Sequence, residues 1–169
     1  NSSGATNGNE YVISNSSGHM QLFPTKIQIN NGEIVHAWQD RTSGDIHLQH
    51  TDYTGSALGT LKTIDVSTNF NAWPFVKGLP DGRMFATWSS NLADGSTLGV
   101  LGQFLTSSGT PIGSPFVVNA TTESNQQVRG VDVLENGNIV VTMTHGNSLD
   151  GDGNGAYARI LRPDGSFAS

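Results

Sequence analysis

The sequence predicts an all-β fold made of three copies of one unit. Three observations carry this: turn dipeptides that recur at a long period, apolar runs of strand length on either side of them, and no apolar pattern of period 3.6 lasting three turns. The repeats align on Gly32, Gly82 and Gly137, in "IQINNGEIVHAWQD", "KGLPDGRMFATWSS" and "DVLENGNIVVTMTH". Six residues after each glycine stands Trp38, Trp88 or Met143, and three before it Ile29, Leu79 or Leu134. Eleven residues before it comes an amide, Gln21, Asn71 or Gln126, and nine before it Phe23, Trp73 or Val128. Downstream, Gly55, Gly109 and Gly165 superimpose in the same way.

One domain, 1–169, therefore divides into repeats at about 10–59, 60–113 and 114–169. Asn31-Gly32, Asp81-Gly82 and Asn136-Gly137 predict hairpins, because a tight turn needs positive φ at its centre. The strand after each turn is apolar on both faces, with Met84, Ala86 and Trp88 against Phe85 and Thr87 in the second copy. Such a strand is covered on both sides. A further strand follows in "DIHLQHT", "LGVLGQFL" and "GAYARIL", and another precedes each unit in "EYVIS", "LKTID" and "PFVVN". The expectation is about twelve strands in three four-stranded units, resembling β-propeller blades, with "EYVIS" available to complete the blade formed by the C-terminus. A three-fold β-prism or trefoil-like arrangement is the alternative.

Composition narrows the function. The 169 residues carry no cysteine, which removes zinc-thiolate sites and cysteine catalysis, and a net charge of −6 with scattered Lys and Arg argues against nucleic acid as a partner. No apolar run reaches the roughly 20 residues of a membrane span. The opening "NSSGATNGNE" reads as a processed end or a linker, and 21 glycines with only 13% charged residues fit a secreted or cell-surface β-rich protein.

The copy from Asn71 to Asn119 resembles repeats of very large secreted bacterial surface proteins associated with repeats-in-toxin segments. Pro74, Leu79, Asp81, Gly82, Trp88, Ser90, Asp94, Gly95, Gly99, Val100, Gly102, Gln103, Phe104, Gly109, Gly113, Phe116, Val118 and Asn119 carry the resemblance. It implies propeller-like β-structure and roles in adhesion, glycan or protein binding, or polymer building. It brings no catalytic residues.

The candidate sites follow from the alignment. Loops on a repeated scaffold are where binding residues sit, which points to Asp40, Arg41, Ser90, Asn91, His145 and Asn147 for ligand contact. Trp38, Trp73 and Trp88 share positions with other large apolar residues and read as core. The repeated amides read as hydrogen-bonding structure at blade junctions. In "LDGDGNG", Asp150, Asp152 and Asn154 alternate as calcium ligands do, but the twelfth position is Leu161, so an EF-hand is excluded and a looser Ca2+ site on a turn remains. The leading expectation is a non-enzymatic extracellular module that binds a glycan or surface protein through its loop tips, as a homo-oligomer or longer array. The alternatives are a self-assembling structural subunit and a polysaccharide-acting enzyme that uses loop carboxylates.

Overall fold

The computed structural model describes residues 9–14, 18–29, 32–65, 70–91, 93–146 and 153–168. Among them eleven strands form three antiparallel sheets. The first sheet holds β1 (Gln21–Gln28), β2 (Ile34–Asp40), β3 (Ile46–Thr51) and β4 (Ala57–Asp65) in that order. The second repeats the order with β5 (Asn71–Gly78), β6 (Met84–Asn91), β7 (Leu98–Leu105) and β8 (Pro111–Val117). The third has β9 (Gln126–Val133), β10 (Ile139–His145) and β11 (Gly155–Leu161). Each sheet is a simple meander, with β1, β5 and β9 side by side as the inner strands of successive blades.

The sheets stack because the aligned strands present two apolar faces. Met84, Ala86 and Trp88 of β6 face the first sheet and pack with Val35, Ala37, Ile46 and Leu48. Phe85 faces the other way and packs with Phe104, Val128, Ile139 and Val141. Close approach is enforced at Gly102, where a Cβ would lie 2.6 Å from the Phe85 ring and 2.9 Å from Val118. Charges and hydrogen bonds tie the same junctions, including Lys77 to Asp132 at 2.7 Å and the Val128 N–H to Ser89 Oγ at 3.0 Å.

Six turns at one end of the blades share one geometry, centred on Gly32, Gly55, Gly82, Gly109, Gly137 and Gly165. At Gly82 the glycine N–H donates to the Leu79 carbonyl at 3.0 Å, and Leu79 N–H donates to Arg83 at 2.8 Å. This is a three-residue loop with a glycine bulge. The expected hairpins are present, and only the glycine takes positive φ, +87° at Gly82, whereas Asp81 and Asn136 do not.

Two expectations change. The third blade has three strands, extended only by a bridge between Leu161 and Phe167. Residues 10–14 ("EYVIS") are not a strand and do not complete that blade; Tyr11 instead packs edge-on against His36, 6.0 Å between centroids, and over Gly55 of the first blade. A lone segment with strand-like composition forms no ladder without a neighbouring edge to bond. No helix long and apolar enough to cross a membrane occurs among the described residues.

Removing the ring between the second and third sheets tests this stacking. Phe85→Ala should lower the unfolding free energy by about 3 to 5 kcal/mol in urea titration, whereas Val140→Ala on the open face of β10 should cost less than about 1 kcal/mol. Equal losses would contradict the assigned faces.

Candidate functional site

The end opposite the six glycine turns gathers the loops that differ between copies. Here the inner strands begin and β2, β6 and β10 end. The two sets of residues singled out in the sequence prove to be register partners: Gln21 lies opposite Asp40, Asn71 opposite Ser90, and Gln126 opposite His145. The segment leading into each inner strand is bonded alike, with Arg41 N–H to Met20, Asn91 N–H to Phe70 and Gly146 N–H to Asn125.

The strand-end residues are not presented as loop tips. Asp40 and Ser90 are each 1% exposed, His145 is also buried, and Asn91 is half-buried. Arg41 is exposed on the β2–β3 turn, and Asn147 lies outside the described residues. Asp40, Ser90 and His145 each close their strand under the connection that crosses it, and His145 also lines a small cavity.

Asp40 organises the first blade's rim. Its Oδ1 accepts the backbone N–H groups of Thr42 at 2.9 Å and Ser43 at 3.2 Å, and its Oδ2 accepts Gln21 Nε2 at 3.1 Å and His19 Nδ1 at 2.6 Å. Burial alone would raise the Asp40 pKa, but the donated bonds from His19, Gln21, Ser43 and Thr42 outweigh it and hold the carboxyl at about 2, below its ordinary 3.8. An ionised carboxylate can only accept, so the His19 ring presents an Nδ1–H to it. The His19 side chain is 42% exposed, so a buried carboxylate orients an accessible imidazole. His47 Nε2 stands 3.7 Å from the same oxygen.

Gln21 bonds within its own blade, while the other two repeated amides serve the junctions. Asn71 Nδ2 donates to Gly44 of the preceding blade at 2.9 Å, and Gln126 Nε2 donates to Glu123 and Ser124 in the β8–β9 connection. Asn119 binds Asp94 Oδ2 at 2.6 Å and the Thr121 carbonyl at 2.9 Å, tying a rim turn to that connection. The other histidines are internal: His36 bonds Thr51 Oγ1 at 3.0 Å and has its pKa lowered by burial, while His50 Nδ1 lies 2.9 Å from Glu33.

Beside the rim residues lies an aromatic ledge. Trp38 and Trp88 are buried, as expected, and Trp73 is half-buried, packed against the border of the second apolar cluster. Trp73 neighbours Phe23, with centroids 5.5 Å apart, and Phe70 at 6.3 Å; Phe23 and Phe70 are 42% and 41% exposed. By contrast, β1, β5 and β9 bring no carboxylate to this end, their one acidic residue being Asp132 near the other end, paired with Lys77.

Two cavities lie at opposite ends of the blades. A small one of about 160 Å3 lies between the β8–β9 connection and the third blade, lined by Asn119, Gln126, His145, Tyr157 and Arg159. A roomier cleft of about 800 Å3 lies at the glycine-turn end, but its Lys77 and Arg83 are already paired with Asp132 and Asp81. Among the described residues no group of three His, Asp or Glu is arranged to hold a metal ion. Of the expected calcium ligands, Asp150 and Asp152 lie outside the described residues and Asn154 is exposed.

No protein-family model and no curated protein matches the chain. Solved structures do. A protein of unknown function from Dyadobacter fermentans superposes with a TM-score of 0.72 at 14% identity, over 93% of this chain and 56% of that one. An endo-arabinase from Bacteroides thetaiotaomicron gives 0.63 at 18%, over 90% and 60%. A GH43 endo-arabinanase from Bacillus licheniformis gives 0.57 at 16%, over 91% and 59%. The likeness is one of fold, and the chain spans under two thirds of each. It places the stacked sheets with propeller blades and not with a prism or trefoil. It also overturns the leading expectation of a non-enzymatic adhesion module, since the fold neighbours of stated activity are glycoside hydrolases.

The Asp40 cluster makes a pH-dependent contribution to stability. Its folded pKa lies below the unfolded one, so the stabilisation is complete above the ordinary carboxyl range and is lost as pH falls from 3.8 toward about 2. Urea unfolding at stepped pH should show wild type losing about 2 kcal/mol more than Asp40→Asn across that window. Parallel curves would contradict the bonding described.

Proposed function

We propose that this chain is a polysaccharide-acting protein of glycoside-hydrolase type that works at the rim around Asp40. The observation that carries this reading is the buried, ionised Asp40 orienting the accessible His19, set on a blade arrangement shared with endo-arabinanases. Support for a sugar as the partner comes from the exposed rings on the same end.

Hydrolysis of a glycosidic bond adds the hydroxyl of water to the anomeric carbon and a proton to the leaving oxygen. It needs a base on one side of the bond and an acid on the other. His19 Nε2 takes the proton of water while Asp40, acting through Nδ1, holds the ring in the required tautomer and stabilises the imidazolium. Asp40 itself touches no substrate and is a positioning residue. The proton for the leaving oxygen comes from a loop carboxyl of the same rim, for which Asp45, Asp94 and Glu123 are the candidates. The inner strands supply none, so the chemistry is confined to the loops.

Incubation with linear arabinan and with xylan, followed by reducing-end assay, tests the reading. Wild type should release reducing ends, His19→Ala and Asp40→Asn should each lower the rate by roughly 100-fold or more, and one of Asp45→Asn, Asp94→Asn or Glu123→Gln should do the same. The pH profile of His19→Ala should lose its basic-group limb. No release by wild type from either polymer would overturn the proposal.

A further inference from the structure

We infer that Phe23 and Trp73 form a platform on which the sugar rings of a polysaccharide stack, placed by paired backbone distortions in β1 and β5. This deepens the polysaccharide-acting reading and rests on it for the choice of sugar as occupant.

The backbone gives the first reason. Phe23 and Trp73 have φ of +53° and +52°, a region that bulky L-residues rarely occupy. Each precedes a proline and falls inside a break in the strand register, between Leu22 and Thr25 in β1 and between Ala72 and Phe75 in β5. Proline cannot donate to a ladder, but β9 breaks register at the equivalent place beside Arg129, so proline is not what makes the breaks, nor does it require the residue before it to be left-handed. Strained bulky residues persist where surrounding structure holds them, and they concentrate at functional sites. Here the same strain recurs at equivalent positions of two blades and is absent from the third, where Val128 has taken the aromatic position.

Burial gives the second. Phe23 belongs to neither apolar cluster, so its distorted backbone does not serve to fill the core, while Trp73 packs one side against the second cluster and stays half-buried. The distortion brings the exposed Phe23 ring against the half-buried Trp73 ring at the surface, with Phe70 set edge-on to Trp73 at 76°. The two rings, with centroids 5.5 Å apart and planes inclined at 41°, offer a shallow angled apolar surface that suits the C–H faces of sugar rings turned relative to one another along a chain. Nothing charged is needed at such a platform, and β1 and β5 provide no acidic residue there.

Isothermal titration and tryptophan fluorescence with arabinan-derived and xylan-derived oligosaccharides read the platform separately from cleavage. Phe23→Ala and Trp73→Ala should each weaken binding roughly 3- to 10-fold, with Trp73→Phe retaining most of the affinity. Phe23→Gly should weaken binding equally while leaving the thermal midpoint unchanged or higher, since glycine accepts positive φ without strain. Binding that depends on these rings in a protein that cleaves neither polymer would sustain the platform and remove the hydrolytic reading. Cleavage and binding indifferent to Phe23 and Trp73 would sustain hydrolysis and overturn the platform. Absence of oligosaccharide binding by wild type would overturn it too, as would a dimeric mass in light scattering that Trp73→Ala reduces to a monomer, which would make the ledge a contact between copies.

Discussion

The middle sheet has to be apolar on both faces, and the rest of the structure follows from that. A β-strand alternates its side chains, so β6 can serve two cores only if successive residues are both large and apolar. Met84, Phe85, Ala86 and Trp88 meet that demand with exposures of 1% or less. The neighbours then have to fit, which is why a glycine stands at 102, beneath Phe85, and why Ser89 can spare its hydroxyl for the next blade. Among the described residues the third blade has a neighbouring sheet on one side only, and β11 shows it in the alternating exposure of Ala156, Ala158 and Ile160.

That rigid stack determines what the rim can do. The carboxylate of Asp40 is held by four donors, two of them backbone groups of its own turn, so its charge and direction are set before any ligand arrives. Electrostatic groups fixed in this way need little rearrangement when chemistry demands them. The distorted backbone at Phe23 and Trp73 depends on the same rigidity, because strain of this kind costs of order 1 to 3 kcal/mol at each site and relaxes unless packing resists it.

Much of the architecture was legible because the copies could be compared. Aligning Trp38, Trp88 and Met143 located the central strands, and the same alignment separated their two faces. The amides and strand-end residues were both visible, yet their partnership was not, since register across a hairpin is invisible until the bulges are placed. Two of those bulges had a signal in the prolines at 24 and 74, which sit inside strand-like runs. Positive φ at an aromatic residue has no such signal, and Trp73 was accordingly read as core. Asp40 was taken for a loop tip because acidic residues near turns are usually solvated; its burial depends on donors that the chain supplies from up to 21 residues away. His19 escaped notice for the same reason, having no periodic counterpart to mark it.

The six glycine turns divide the molecule into a standardised end and a variable one. Fixed three-residue loops there set the pairing of β1 with β2, β3 with β4, β5 with β6, β7 with β8 and β9 with β10 from the far side, whatever the length of the connections at the rim. Insertions such as the extended run between β10 and β11 can accumulate without shifting the inner strands by a residue. The arrangement separates the part of the chain that defines shape from the part that is free to diversify, so a new specificity can be acquired in this scaffold by exchanging rim loops alone.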